Sequence, residues 1–301
     1  MTFAEFERRH VVADATTVFV RVGGSGPPVL LLHGFPETHR AWAAVAPRLS
    51  TSFTVIAADL PGYGKTIGPT SDEHHERFSK RAIARTLVRT MTALGFERFA
   101  VVGHDRGARV AYRMALDHQD RITALSVLDV IPTLDVAERM TYAIARKMAN
   151  WFWLAQPAPV PERTIGADPD SYVKYILDAW GGAHVIDPAS VAQYVRSFED
   201  PDRVHAVCEE YRADGIDLEH DRHDRRDGRR IACPVLALWA DDGFVTDFGD
   251  PIAIWQAWAN DVRGKTVHGG HFMMEESPTQ IGELLRAFLL ETIAAKATAR
   301  R

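Results

Sequence analysis

Short runs of apolar residues alternate along this chain with stretches in which apolar residues recur every three or four positions. Val29–Leu32, Val55–Ala58 and Phe99–Val102 are compact apolar runs that end in turn residues. Runs of this kind suit strands buried on both faces. Thr17–Val22 predicts a leading strand and Ala124–Val130 a later one. Between them, Ser79–Leu94 places Ile83, Leu87, Met91 and Leu94 at helical spacing, and Gly95 closes the helix. Arg106–His118 predicts the next helix.

The rhythm then changes. From Asp135 to about Arg222 there is no strong strand signal. Helical stretches are expected around Glu138–Trp153, Ser171–Trp180, Ala189–Phe198 and Arg203–Arg212, with Pro157, Pro159 and Pro161 punctuating the chain after the first. Strand signals return at Pro234–Trp239 and Lys265–Val267, and Thr279–Ile293 fits a final amphipathic helix. The pattern therefore predicts an α/β core domain from residues 1–133 and 223–301, interrupted by a helical cap domain at 134–222. A lid over the carboxyl end of the sheet is the natural interpretation, because open α/β sheets bind ligands there.

Composition narrows the function classes. The 301 residues are 46% hydrophobic and 25% charged, with a formal charge of -5. That charge gives no electrostatic reason to expect nucleic acid or an anionic membrane as partner. Cys208 and Cys233, the two cysteines, are too few for a disulfide scaffold and read as buried thiols. The first ten residues are polar and lack the apolar run of a signal peptide, so the cytoplasm is the expected location. His74–His75 lacks further ligands nearby to complete a metal set and reads as surface. His220–Arg230 is dense in Arg but interleaved with Asp221, Asp224 and Asp227, and reads as a solvated loop.

Most of the chemical information lies in Gly103-His104-Asp105-Arg106-Gly107, between a predicted strand and a predicted helix. Strand, Gly-x-Asp-x-Gly, helix is the nucleophile-elbow pattern of α/β-hydrolases, with aspartate where serine usually stands. The glycines permit a sharp turn, and the helix N-terminus favours an anion. A serine needs a base to become nucleophilic; a carboxylate is already ionised at neutral pH. Asp105 can displace a leaving group from an sp3 carbon and form an alkyl ester that water must then hydrolyse. Halocarbons and epoxides suit that route better than esters or amides. The contrary expectation is that Asp105 merely caps its helix.

The remaining machinery follows in chain order. His33-Gly34-Phe35-Pro36 comes after the strand Val29–Leu32. There the Phe35 N–H, together with the Arg106 N–H, can form an oxyanion hole. His271, after the pair Gly269-Gly270, is the candidate base that activates water. Its acid partner is Asp129, at the end of its strand, or Asp242, beside Asp241 after the strand Pro234–Trp239; Asp129 is favoured.

Several further motifs accompany the elbow His104-Asp105-Arg106-Gly107-Ala108-Arg109. They are Asp59-Leu60-Pro61-Gly62-Tyr63-Gly64, Val127-Leu128-Asp129-Val130-Ile131-Pro132, Gln156-Pro157-Ala158-Pro159 and Ile165-Gly166-Ala167-Asp168-Pro169-Asp170. With them the chain resembles the fluoroacetate (haloacetate) dehalogenases of the α/β-hydrolase superfamily, over nearly its whole length. The resemblance implies an α/β-hydrolase fold, a mostly parallel sheet with flanking helices, and hydrolysis of short 2-haloacids. It implies Asp105 as nucleophile, His271 as base and Asp129 as acid, with no metal or organic cofactor. Arg106 and Arg109, three apart on a helix, would bind the substrate carboxylate. If one is instead tied to an acid of the lid, Arg109 is the first candidate. A halide site would comprise Asn150, Trp151 and Tyr211, with Asn150 where the family has His. An amide cannot carry positive charge, so chloro- and bromoacids are expected to be handled better than fluoroacetate. The family also suggests a homodimer.

Two other readings stand beside this one. An epoxide hydrolase shares the Asp nucleophile and His base, and needs lid tyrosines. Tyr142, Tyr172, Tyr175, Tyr194 and Tyr211 supply candidates. The arginines beside Asp105 are awkward for a neutral epoxide, and for a haloalkane. A non-catalytic binding protein would show stoichiometric binding without turnover.

Overall fold

In the computed structural model, which describes residues 1–14, 16–182 and 184–298, the apolar runs become one eight-stranded sheet. Its strands are β1 (Glu7–Ala13), β2 (Thr16–Gly24), β3 (Pro28–Leu32), β4 (Thr54–Ala58), β5 (Phe99–His104), β6 (Ile122–Leu128), β7 (Val235–Ala240) and β8 (Val262–Val267). The order across the sheet is β1-β2-β4-β3-β5-β6-β7-β8. β2 runs antiparallel to both β1 and β4; every pairing from β4 to β8 is parallel.

The central strands are apolar on both faces because helices cover both. Leu30 and Leu32 of β3, Val101 of β5 and Leu125 and Val127 of β6 pack into one core. Their alternates Val29, Leu31, Ala100, Val102, Ala124 and Leu128 pack into a second core across the sheet. The edges differ. β1 is exposed over its first four residues, and β8 over four of its six. An exposed edge strand has no apolar run to announce it. The sequence pattern accordingly omits β1 and finds only the end of β8.

Between β6 and β7 the described residues form a series of helices from Thr133 to Arg226 and no strand. The expected single helix Glu138–Trp153 is three short ones, Thr133–Glu138, Tyr142–Lys147 and Ala149–Leu154. Thr141 starts the second by accepting a hydrogen bond from the Ile144 N–H, as an N-cap does. The expectation of a solvated loop at His220–Arg230 is corrected. Asp214–Arg226 is a helix, and Asp214, Asp217, Asp221 and Asp224 are buried along one face. Spacings of three and four residues put them there. Among the described residues no helix is long and apolar enough to cross a membrane.

The elbow itself forms where β5 runs into the helix Asp105–Asp117. A Cβ on Gly103 would stand 2.4 Å from the Gly107 carbonyl oxygen. One on Gly107 would stand 2.4 Å from the His33 carbonyl oxygen and 2.6 Å from that of Leu32. These contacts are with backbone, which cannot swing away. Gly107→Ala should therefore destabilise the protein by roughly 1–3 kcal/mol, the usual cost of overpacking, read as a lowered urea midpoint with an unchanged slope.

Candidate active site

Asp105 sits at φ 44°, a left-handed conformation that side chains rarely adopt. Its Oδ2 accepts a hydrogen bond from the Phe35 N–H at 3.0 Å. The Arg106 N–H lies in the first helical turn, where amides have no intrahelical acceptor. Gly34 lets the loop come this close: a Cβ there would stand 2.6 Å from Asp105 Cβ. Burial opposes ionisation of Asp105. The neighbouring His271, His104 and Arg106, with the Phe35 N–H, outweigh it and hold the carboxyl below its ordinary value.

His271 lies 5% exposed, and its Nδ1 is 2.7 Å from Asp129 Oδ2. Asp129, at φ 54°, follows the end of β6. Its Oδ1 accepts from the Ala240 N–H at 3.1 Å, and its own N–H donates to the Leu238 carbonyl at 2.8 Å. Of the two acids weighed from sequence, Asp129 is the one brought to His271. Asp242 gives its N–H to the Gly269 carbonyl, and its neighbour Asp241 pairs with the exposed His268.

The two arginines divide. Both were expected to face the substrate, with Arg109 the first candidate if one were tied to an acid of the lid; the one so tied is Arg106. Arg106 Nε donates to both carboxylate oxygens of Glu210, at 3.0 and 2.9 Å, and its Nη2 to Asp214 at 2.9 Å. Both acids belong to the helical insertion, whose stripe of carboxylates claims this guanidinium. Arg109 donates to the Ile131 carbonyl and to Thr133 Oγ1, and its buried Nε has no partner among the described residues. Its guanidinium lies 4.4 Å from the Trp151 ring centre. Arg109 lines a cavity of about 40 Å³, together with Asp105, His271, Trp151, Trp180 and Tyr211. Apolar side chains such as Ile131, Val136, Phe244 and Phe248 complete its wall.

Comparison with known proteins decides the family. Residues 27–278 match the model of the alpha/beta hydrolase fold. The chain is 42% identical, over 95% of its own length and 95% of the relative's, to a fluoroacetate dehalogenase from Burkholderia sp.. It belongs to the α/β-hydrolases, on their fluoroacetate dehalogenase-like branch. A soluble epoxide hydrolase from Corynebacterium sp. (strain C12) is 32% identical, covering 85% of this chain and 87% of that one. A crystal structure of an α/β-hydrolase protein from Nostoc sp. PCC 7120 superposes with a TM-score of 0.93 at 42% identity, covering 95% of this chain and 99% of the other.

The residues expected around a halide in this dehalogenase-like hydrolase are placed unevenly. Trp151 and Tyr211 line the cavity. Burial keeps the Tyr211 phenol well above its ordinary pKa, so it remains a donor. Asn150 lies outside the cavity wall, a departure from its expected place. Its Oδ1 accepts from the Tyr172 hydroxyl at 2.7 Å, and its Nδ2 is buried without a partner. Residue type and spacing gave no notice of this tether.

Sequence reasoning also missed what lies behind the triad. His104 is fully buried; its Nδ1 is 2.9 Å from Glu37 Oε2 and its Nε2 is 2.8 Å from the His271 carbonyl oxygen. The imidazole beside the nucleophile and the Glu after His33-Gly34-Phe35-Pro36 were the available signals. Burial disfavours charge on His104, but Glu37 outweighs it and the pKa is pushed up to about 9.

Two outcomes follow. Asp129→Asn should lower hydrolytic turnover about a hundredfold or more, while Asp242→Asn leaves it within about twofold; steady-state kinetics on both variants separate the two acids. Because the folded pKa of His104 is raised, its contribution to stability is complete below about 6.5 and disappears as pH rises through about 9. Thermal unfolding from pH 7 to 10 should show that loss, and His104→Gln should lack it.

Proposed function

We propose that this protein is a hydrolytic dehalogenase of short 2-haloacids. One observation carries the reading: the partly buried carboxylate of Asp105 shares a cavity of about 40 Å³ with Arg109, whose buried Nε lacks a partner among the described residues. Arg109 meets no carboxylate of the protein among the described residues. A cavity of this size holds a molecule of a few heavy atoms, since one water needs about 10–15 Å³ of such space. A small anion supplies the charge that Arg109 lacks and places its second carbon against Asp105. The 42% identical relative bears the name fluoroacetate dehalogenase.

The chemistry proceeds in two steps. Phe35 holds Oδ2, so Oδ1 of Asp105, which accepts no hydrogen bond from the described residues, attacks the carbon bearing the halogen. The carbon–halogen bond breaks with its electron pair on the halide. Trp151 Nε1–H and Tyr211 O–H donate to the departing ion. His271 then takes a proton from water, and the oxygen adds to the ester carbonyl carbon of Asp105. The Phe35 and Arg106 N–H groups stabilise the oxyanion. Collapse of this intermediate breaks the acyl–oxygen bond, regenerates Asp105 and releases the hydroxy acid, glycolate from haloacetate. His271 gives its proton to the departing alkoxide oxygen, and the proton left on the Asp105 carboxyl passes to solvent. Asp129 orients the imidazole throughout.

Arg109 is the main carboxylate-binding group in this scheme, with Arg106 adding charge from behind its acid partners. Residues 134–222 serve as the cap. Asn150 stands back from the halide, so fluoride, which depends most on strong close donors, leaves poorly. A homodimer, from the family resemblance, and a cytoplasmic location belong to the same proposal.

The epoxide hydrolase reading is weaker. Tyr211 is the one lid tyrosine in the cavity wall. Tyr172 donates to Asn150 and Tyr194 to Glu275, while Tyr142 and Tyr175 are exposed. That leaves a neutral epoxide oxygen with one proton donor and Arg109 with no anion.

Halide release by ion chromatography tests the proposal. Chloroacetate and bromoacetate should release halide at least about tenfold faster than fluoroacetate, the factor one lost charge-assisted bond is worth, and Asn150→His should narrow the gap. Asp105→Asn should abolish turnover, and His271→Asn should accumulate the alkyl ester, seen by intact mass. Diol formation from epoxides with no halide from any haloacid would overturn the reading.

A further inference from the structure

His104 ends the nucleophile's strand and reaches the backbone of the base, yet the two chemical steps do not use it. Its ring nitrogens face two oxygens. The His271 carbonyl can only accept, so Nε2 must carry a proton. Glu37 Oε2 accepts from the Gly34 N–H at 2.8 Å and lies 2.9 Å from Nδ1; an ionised carboxylate can only accept, so against it Nδ1 donates as well. Both nitrogens are then protonated and the ring is an imidazolium, in a site closed to water. Its ring centre lies 4.7 Å from that of His271.

We propose that His104 is a positioning residue that stays charged through the neutral pH range, whose imidazolium anchors the backbone of the base and keeps that base free to take a proton. The physical need is plain. His271 must be neutral to accept a proton from water, yet two carboxylates, Asp105 and Asp129, stand beside it. A fixed cation on its other side opposes them. The same cation favours the ionised nucleophile.

The groups that face His104 come from four parts of the chain. Glu37 follows β3, Asp105 adjoins it, Asp129 follows β6, and His271 and Glu275 come from the C-terminal loop and the short helix after it. Glu275 is no rival counter-ion. Burial, then the charge of Glu37, pushes its carboxyl well above its ordinary value, and its Oε1 accepts from Tyr194. Glu37 is therefore the anion that fixes the charge on His104.

The kinetic consequence rests on the dehalogenase reading; the charge state does not. The first measurement is nitrogen NMR of protein labelled at histidine, compared with His104→Gln. One histidine should keep both ring nitrogens protonated from about pH 6 to about pH 8, where an unperturbed ring would titrate, and that signal should vanish in His104→Gln. Glu37→Gln, which keeps the size of the partner and removes its charge, should return the His104 signal to a neutral ring near pH 7. The second measurement is single-turnover hydrolysis of the ester. In His104→Gln its acid limb should move to higher pH by about one unit or more, given a charge removed at this distance, while halide release moves less. If His104→Gln does not fold, Glu37→Gln should give the same displacement. A neutral His104 at pH 7, or an acid limb that stays in place, overturns the proposal. Absence of halide release from every haloacid would sink the functional reading and leave the NMR result to decide this one.

Discussion

Everything at this site depends on three positions where no side chain can stand. Gly103 and Gly107 set strand, helix and loop backbone against backbone, and Gly34 brings its loop against the Asp105 side chain. The left-handed turn at Asp105 costs about 1–3 kcal/mol and persists only where its surroundings over-determine it. Here β5 is paired on both sides and the helix starts at once. Asp129 shows the same device one strand over. Its positive φ follows β6, and hydrogen bonds to β7 hold it at both its N–H and its Oδ1. Two aspartates at neighbouring strand ends are thus turned off the sheet's regular path, one toward the cavity and one across β7 toward His271.

The second organising feature is electrostatic. Glu210, Asp214, Asp217, Asp221 and Asp224 form a buried stripe along two successive helices of the insertion. Opposite them stand Arg106, Tyr112 and Arg113 of the nucleophile helix, with Lys80 beside them. Removing one member of such a set costs far more than the set contributes in total, because a buried charge is left alone. The stripe therefore fixes the register between insertion and nucleophile helix. The carboxylates crowd one another as well: burial, with Asp214 alongside, pushes Asp217 up to about 6 even though Lys80 opposes it.

This stripe also explains where sequence patterning fails. The central strands were legible because burial on both faces requires apolar runs, and Val29–Leu32 and Phe99–Val102 have them. Asp105 and Asp129 were legible as candidates because each follows such a run, and His271 because of the Gly269-Gly270 pair before it and its place in chain order after the nucleophile. Asp214–Arg226 was not, because its buried face is made of carboxylates and carries no hydrophobic signal. The periodicity of acids at three and four residues was present and was read as solvation. β1 escaped for a related reason, as an edge strand whose outer residues are polar. Asn150 could be placed near Trp151 by counting, but its tether to Tyr172, 22 residues later, depends on packing alone.

The contrast between Arg106 and Arg109 shows what a motif leaves open. Both lie on one helix, three residues apart, and both are buried. The acidic stripe approaches from one side of that helix and takes Arg106 and Arg113. Arg109 projects instead toward Thr133, Ile131 and Trp151, where the protein offers it only neutral acceptors and an aromatic face. Burial, and then the charge of Arg106, depress its pKa, yet a guanidinium does not give up its proton in a protein. A buried cation with an unfilled donor is costly unless something completes it. The cavity it lines is too small for a large partner and already contains the Asp105 carboxylate. A neutral substrate would leave Arg109 incomplete through the whole cycle. A small carboxylate satisfies it, and offsets its own repulsion from Asp105 by doing so.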